Sequence, residues 1–483
     1  MKVSLIGHAS ILIEAGGLAI LSDPWWRGPC FGAQWWNFPL PDLRPIAERR
    51  IDYIYVSHGH HDHFHPGTLS TLRKDAKVLV SEHTGLAQSI RELGFEVIPV
   101  ANDQTVTLGS SGVKGRILET HAGDTLMTLD DGAEVCVNIN DALHSAPDSV
   151  QRDFVGRLKQ LHPRIDYVFC GYGVASHFPN CYVIPGKDSA ATAARRQAYF
   201  NRQWARLIAE LQPRYGFPFA ADVALLEEDL FWTNEATFNC GRPTDAFRTL
   251  YPDSSVEVKD IAPGFEIQDG KVMAEVLRKR VSALEIRRLC AEQIERANRY
   301  SRVDEGAVGE VIGLLQKRLE VCAGYLSDYD ADYRFLIKFH NATSGICIER
   351  RGRDLSLTRT HVTSTDGYDL VYTTRLAYLR WALTRPYGDE ILFVGSGGIF
   401  RYADPAHARR NLHRELISLL RAQEGPPPRR HGSRSSLIFN AKKTIKRMLG
   451  AAAADLYDLH EWTVFKPDRM STSQRSLGAD VEL

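Results

Sequence analysis

At 483 residues the chain is too long for one ordinary domain, so two or three domains, each burying its own core, are expected. Apolar residues make up 44% and charged residues 24%, with Lys+Arg and Asp+Glu balanced at 59 each. That composition describes an ordinary soluble globular protein and does not demand a nucleic acid or a membrane as partner.

In chain order, the opening MKVSLIGHASILIEAGG has its apolar stretch broken by Gly7 and His8, with no small-residue cleavage site after it. It reads as a first strand rather than a signal peptide. Short β-rich runs follow (LAILSDP, IDYIYVSH, KVLVSE, FEVIPV, GRILETH, TLMTLDD, AEVCVNIND), many bounded by Gly, Asp or Asn as strands are. A helix is predicted over 66–73. Strands with interspersed helices, without strict βαβ alternation, favour a mixed-sheet sandwich over a doubly wound fold.

A helix is expected over 190–211, then a turn and strand in QPRYGFPFAAD that return the chain to the first domain. Between 276 and 325, Leu277, Val281, Leu284 and Leu289, then Val311, Leu314, Leu315 and Leu319, fall at helical spacing and predict helices opening a second domain. Strand-like runs (YRFLIKFH, GICIERR, LSLTRTH) and helices around 374–383 and 405–421 make that domain α+β. GPPPRRHGSRSS at 425–436 reads as a linker. The domains are therefore set at 1–270 and 271–424, the second expected to cover the active site or shape its pocket. A basic tail at 437–483 follows, with Lys442, Lys443, Lys446 and Arg447 on the solvated face of a short helix. The eight cysteines are scattered without a CxxC pair, which predicts reduced thiols and a cytoplasmic setting, and no apolar run approaches an integral membrane segment.

The densest chemical signal is IYVSHGHHDHFH, where an apolar strand ends in a run of histidines. A strand end opening into a loop presents several side chains to one point. His58 and His60, two apart, point the same way, and Asp62 and His63 follow on the turn. Neutral imidazole and carboxylate are donors that divalent zinc, iron or manganese takes, and paired sets suit two ions. His61 and His65 fall outside the pattern and are read as supporting or solvent-facing groups. Further donors must come from later strand ends: His121 in ILETHAGDT, and Asp141 in VCVNINDA, placed to bridge both ions, with Asp124 read as a turn residue. The last ligand stays open among His177, Asp222 and Glu227, with His177 preferred. Asp23 in ILSDPWW is expected to organise the metal loops through hydrogen bonds. Trp25 and Trp26, with Trp35 and Trp36, are either an aromatic wall for a substrate ring or packing between domains. Arg27 is a candidate for substrate phosphates beside Arg195, Arg196, Arg202 and Arg214.

HxHxDH after a strand, preceded by GHAS-x-LIE and SDPW and followed by a lone His and a lone Asp, resembles the metallo-β-lactamase superfamily. SDPWWRGPCFGAQWW, IDYIYVSHGHHDHFHPGTLSTL, GVASHFP at 173–179, LQPRYGFPFA at 211–220 and YGDEILFVGSGGIFRYADP at 387–405 resemble, in the same order, the CMP-N-acetylneuraminate hydroxylase family, to which UDP-N-acetylmuramate hydroxylase is expected to be similar. The resemblance implies an αββα sandwich, a dinuclear metal centre and oxygen-dependent hydroxylation of the N-acetyl methyl of a nucleotide sugar. Those hydroxylases carry a Rieske [2Fe–2S] module held by Cys and His at close spacing. No cysteine here has such a His partner, so no Rieske cluster is expected in this chain, and electrons would come from a separate ferredoxin-like or Rieske donor. His177 stands where the hydroxylases have a small residue.

Two chemistries follow. In the favoured one, a monooxygenase, His58, His60, His121 and Asp141 hold one iron, while Asp62, His63 and Asp141 hold the other. In the alternative, the same ligands hold zinc, and Asp62 orients a water that hydrolyses a phosphodiester, lactone or amide.

Overall fold

The structure, a computed structural model, describes residues 1–421 apart from 121–122, 145, 147, 174–177, 240, 302, 323–330, 353 and 386–387. His121 and His177 lie outside the described residues, as do the linker at 425–436 and the tail at 437–483. The chain divides into two compact units: Met1–Ala175, Ala193–Leu225 and Phe231–Leu289 make the first, and Ser176–Thr192, Leu226–Leu230 and Cys290–Leu483 the second.

The first unit begins with β1 (Lys2–Gly7), β2 (Ser10–Ala15), β3 (Leu18–Ser22), β4 (Tyr53–Tyr55), β5 (Lys77–Ser81) and β6 (Glu96–Val100). The chain then lays down β7 (Thr105–Thr107), β8 (Lys114–Glu119), β9 (Thr125–Asp130), β10 (Val135–Asn140), β11 (Tyr167–Cys170), β12 (Tyr215–Pro218) and β13 (Glu257–Val258), and returns with β14 (Glu266–Gln268) and β15 (Lys271–Ala274). The first sheet has the order β15-β14-β1-β2-β3-β4-β5-β6, the second β13-β12-β11-β10-β9-β8-β7. Both are mixed: hairpins join the early strands of each, and parallel pairs follow.

The strands alternate two apolar faces, as strands buried on both sides do. Along β11, Tyr167 and Phe169 join Leu5, Ile13, Ile20, Tyr55, Met127 and Phe217 in the core between the sheets. Val168 and Cys170 point the other way, against helices α1 (Asp148–Leu161), α2 (Ser189–Leu211) and α3 (Pro243–Leu250), which contribute Leu158, Trp204, Ile208 and Phe247. On the far face of the first sheet, Leu12, Leu21, Ile54 and Val78 pack with Leu69, Ile90 and Phe95. Helix, sheet, sheet and helix make four layers, the αββα sandwich expected from the sequence.

Some elements differ from their sequence reading. The helix predicted over 66–73 is the single turn Pro66–Leu69. Beyond it the Ser70 and Thr71 hydroxyls donate to the carbonyls of Gly67 and Thr68, the local competition that makes these residues poor helix interiors. In the helix Ala283–Leu289, Ile286 is buried, whereas Leu284, about 200° away around the axis, is 77% exposed.

The second unit pairs Tyr182–Val183, β20 (Gly398–Tyr402), β19 (Leu370–Thr374), β16 (Tyr333–Phe339), β17 (Ser344–Arg351) and β18 (Asp354–His361) in that order. Its helices include α4 (Glu305–Cys322), α5 (Leu376–Thr384) and α6 (Arg414–Arg421). The helix expected over 405–421 is interrupted: Pro405–Arg409 and α6 are separate, with Asn411 in the left-handed region at φ 57° between them. Cys30, Cys136, Cys170, Cys181, Cys290 and Cys347 are buried free thiols. Among the described residues, no helix is long and apolar enough to cross a membrane.

Candidate metal centre

Parallel pairing decides where the chemistry sits. Ser22 of β3 registers with Tyr55 of β4, and Tyr55 with Leu79 of β5, so the segments leaving β3 and β4 emerge side by side. Asp23 directly follows the end of β3, His58 lies three residues past the end of β4, and the Asp23 N–H donates to the Tyr55 carbonyl at 2.9 Å. In the second sheet Asn140 registers with Cys170 and Cys170 with Pro218, which brings Asp141, Gly171 and Ala220 to one edge. The turn between β1 and β2 joins them, since the His8 carbonyl accepts from the Ala220 N–H at 3.3 Å. Crevices at the carboxyl ends of parallel strands are where such folds bind ligands. At this edge His8, Asp23, Asn140 and Ala220 have left-handed φ of 44°, 39°, 57° and 54°. Non-glycine backbone of that kind gathers at functional sites because the surroundings must enforce it.

Asp23 is fully buried and organises the interior of the site. It accepts from the Ser57 N–H at 2.8 Å, the Ser57 hydroxyl at 2.7 Å, His63 Nδ1 at 3.0 Å and the Asn140 amide. An ionised carboxylate only accepts, so His63 Nδ1 carries a proton and donates it to Asp23, and the ring's other nitrogen, Nε2, faces the interior of the site. That nitrogen lies 3.2 Å from Asp62 Oδ2 and 3.4 Å from Asp141 Oδ2, yet makes no hydrogen bond. His58 Nδ1 is 3.0 Å from the Ser57 hydroxyl; its Nε2 is 2.8 Å from His60 Nδ1 and 4.0 Å from Asp124 Oδ1. His8 Nε2 is 3.0 Å from Asp62 Oδ2. Three sets of donor atoms, each within 4.8 Å of one another, result: His58, His60 and Asp124; His58, His63 and Asp141; and His8, Asp62 and His63.

These groups suit a divalent cation. Metal bonds of about 2.0–2.2 Å place two donors on one ion roughly 3–3.5 Å apart, and the donor pairs here are 2.8–4.0 Å apart. Buried Asp62 Oδ1 and Asp141 Oδ1 have no hydrogen-bond partner, a costly state for a carboxylate oxygen without a cation nearby. Burial, and then the adjacent His63, push His58 down to about 4, so its imidazole is neutral and free to ligate. Burial opposes protonation of His63, but Asp62 and Asp141 overcome it and hold the ring well above the usual histidine range. Burial likewise raises both carboxylates, and His63 outweighs it, leaving them well below the usual range. The interior therefore demands positive charge. Its accessible side is formed by half-buried His60, Asp124 and Asp141, while His58, Asp62 and His63 are buried.

The other sequence candidates are placed as follows. His61 stacks on Phe31 at 5.1 Å, and His65 caps the turn Pro66–Leu69. Trp25 is fully buried, edge-on to His8 at 5.1 Å, and its indole N–H donates to the Gly28 carbonyl. It packs under the site and offers no open face. Trp26 is half-buried and Arg27 exposed, both with backbone N–H groups on the Thr68 hydroxyl. Trp35 and Trp36 are buried in the strand Trp35–Asn37, which pairs with Val223–Leu225. The Asp222 carboxylate is held by Arg278 at 2.7 Å and by the Tyr172 hydroxyl at 2.8 Å. Glu227 belongs to the second unit, where it faces Arg375 at 3.5 Å. Arg214 precedes β12, at the opposite end of that strand from the site. Sequence reasoning missed His8, Asn140 and Asp124, the last read as an idle turn residue. The signal for His8 was a histidine in the turn of an otherwise apolar hairpin; for Asp124 it was a carboxylate one residue before a strand whose partner strand leads to His121.

Residues 2–127 match the model of the beta-lactamase superfamily domain. A protein of Mycolicibacterium smegmatis named as a Rieske 2Fe-2S iron-sulfur protein is 29% identical over 54% of this chain and 50% of its own length. The cytidine monophosphate-N-acetylneuraminic acid hydroxylase of Asterias rubens is 36% identical over 15% of this chain and 11% of its own. A metal-dependent hydrolase of Carboxydothermus hydrogenoformans is 38% identical over 16% of this chain and 30% of its own. The chain thus spans about half the length, or less, of the curated relatives it matches.

Proposed function

For a chain whose residues 2–127 carry a beta-lactamase superfamily domain, we propose a dinuclear metal-dependent monooxygenase that hydroxylates an N-acyl nucleotide sugar or similar small molecule. The observation that carries the metal centre is His63 Nε2, which faces the Asp62 and Asp141 carboxylates at 3.2 and 3.4 Å beside His58 and His60. We assign one ion to His58 and His60, with Asp124 and, by the sequence reading, His121. A neighbouring ion would be held by Asp62 and His63, and Asp141, grouped with His58 and His63, would contribute its carboxylate to the centre. Bound there, divalent ions would supply Lewis-acid or oxygen-activating chemistry.

The protein's own residues do the rest. Asp23 holds His63 in one tautomer and orientation through Nδ1, and Ser57 does the same for His58. The sandwich core excludes water from the Asp62–His63 side, so substrate approaches past His60, Asp124 and Asp141. Trp26 and Arg27, on the segment leaving β3, are assigned to contact its ring and phosphates. The likeness to a Rieske-named protein and to a sialic-acid hydroxylase supports oxygenation. An external ferredoxin-like or Rieske donor is proposed as the source of electrons, in keeping with the Rieske-named relative.

A hydrolase reading is favoured by one finding, the match to a metal-dependent hydrolase over 16% of this chain. Metal analysis separates the two. Protein purified anaerobically from cells given both iron and zinc should hold about two iron atoms per chain, lost in His58→Ala. Zinc with little iron would replace the monooxygenase by the hydrolase.

A further inference from the structure

We propose that His8, in the turn between the first two strands, is a protein ligand of the metal position formed by Asp62 and His63. The inference rests on the metal-centre reading above and extends it to a residue outside the HxHxDH run. His8 Nδ1 lies 3.1 Å from the Asp222 backbone carbonyl, which can only accept, so Nδ1 carries the proton. In the neutral imidazole, the form that binds metals, Nε2 is then bare. That atom points at Asp62 Oδ2 from 3.0 Å, and with Asp62 and His63 it makes a three-donor set within 4.8 Å. A bare nitrogen facing a carboxylate oxygen is repulsive unless a cation lies between or beside them. Asp62 Oδ1 and His63 Nε2 are likewise buried and without hydrogen bonds.

The surroundings are built to hold this ring. His8 keeps a left-handed backbone at φ 44°, and its side chain is 2% exposed. Two residues on, the Ser10 hydroxyl donates to the Asp23 carbonyl at 2.6 Å and accepts from the Trp25 N–H at 3.0 Å, tying the turn to the loop that orients His63. Trp25 stands edge-on to the imidazole and limits its rotation. The Asp222 side chain, a ligand candidate from the sequence, is instead drawn away by Arg278 and Tyr172, leaving its carbonyl to fix the His8 tautomer.

The test is cobalt(II) titration of the full-length, chelator-stripped protein, counting ions and recording d–d absorption. The unaltered chain should take up two ions per chain, and His8→Ala one, with weaker ligand-field bands. Exogenous imidazole, entering the space vacated by the side chain, should restore the second ion and its spectrum. His8→Gln, which preserves size and turn, should lose the same ion and serves where the alanine variant does not fold. Two ions with an unchanged spectrum in His8→Ala would overturn the inference. So would a loss of affinity that imidazole fails to repair, because His8 would then act only as a hydrogen-bond partner of Asp62. An unaltered chain that takes up no cobalt would remove the metal-centre reading itself, and this inference with it.

Discussion

Asp23 shows how one buried side chain sets the geometry of several others. Its carboxylate gathers Ser57 and His63 from one loop and Asn140 from a strand end of the other sheet, so removing it frees the His63 ring to rotate and leaves buried donors unpaired. Asp23→Ala is expected to weaken metal binding about 10–100-fold, read by competition with a chromophoric chelator. It should also lower folding stability by about 1–3 kcal/mol for each buried donor left unsatisfied, read by urea unfolding. At this scale much was legible without coordinates. His58, His60, Asp62 and His63 fall within six consecutive positions at one strand exit, so local spacing alone brings them together. His8 and Asp124 enter from other strand ends, and nothing in their own neighbourhoods says which loop they will face.

Between elements, close approach of strands decides whether Asp141 can serve the site. Gly171 leaves β11 beside it, and a Cβ there would sit 2.9 Å from Asp141 Oδ1 and 3.0 Å from the Asn140 carbonyl. Backbone cannot yield easily, but the carboxylate can. Gly171→Ala should displace Asp141 and lower metal occupancy, at an overpacking cost of about 1–3 kcal/mol visible in the unfolding midpoint. The loop after β12 is fixed differently, by ion pairs from Asp222 to Arg278 at 2.7 Å and to Arg242 at 3.5 Å. These guanidinium groups overcome the effect of burial and hold the Asp222 carboxyl below its usual range. Asp222→Ala would remove the carboxylate that Arg278 faces at 2.7 Å, while Arg242 keeps Asp260 at 2.7 Å; breaking a buried pair on one side costs about 3–5 kcal/mol, and a fall in stability under 1 kcal/mol would show that water replaces the carboxylate. The alternating apolar pattern made the strands readable, whereas the shortening of the helix at 66–69 depended on hydroxyls competing for carbonyls.

For the whole molecule, the two units are not divided by a single cut in the chain, because 176–192 and 226–230 belong with the second. Tyr182 pairs with Phe400 of β20, and its ring stacks on that of Phe400 at 5.4 Å. A chain ending at residue 289 would keep Tyr182 but lose these partners. It is expected to retain its metal, lose turnover and bind a fluorescent apolar dye; full turnover would refute a catalytic contribution from the second unit. By itself the sequence determined the mixed-sheet sandwich, the α+β character of the second region and a donor-rich strand exit. Each is written in periodicity or in spacing over a few residues. Only the tertiary structure decided which donors meet, bringing Asp141 and Asp124 to His58 and His8 to Asp62, because parallel register between distant strands sets which loops share an edge.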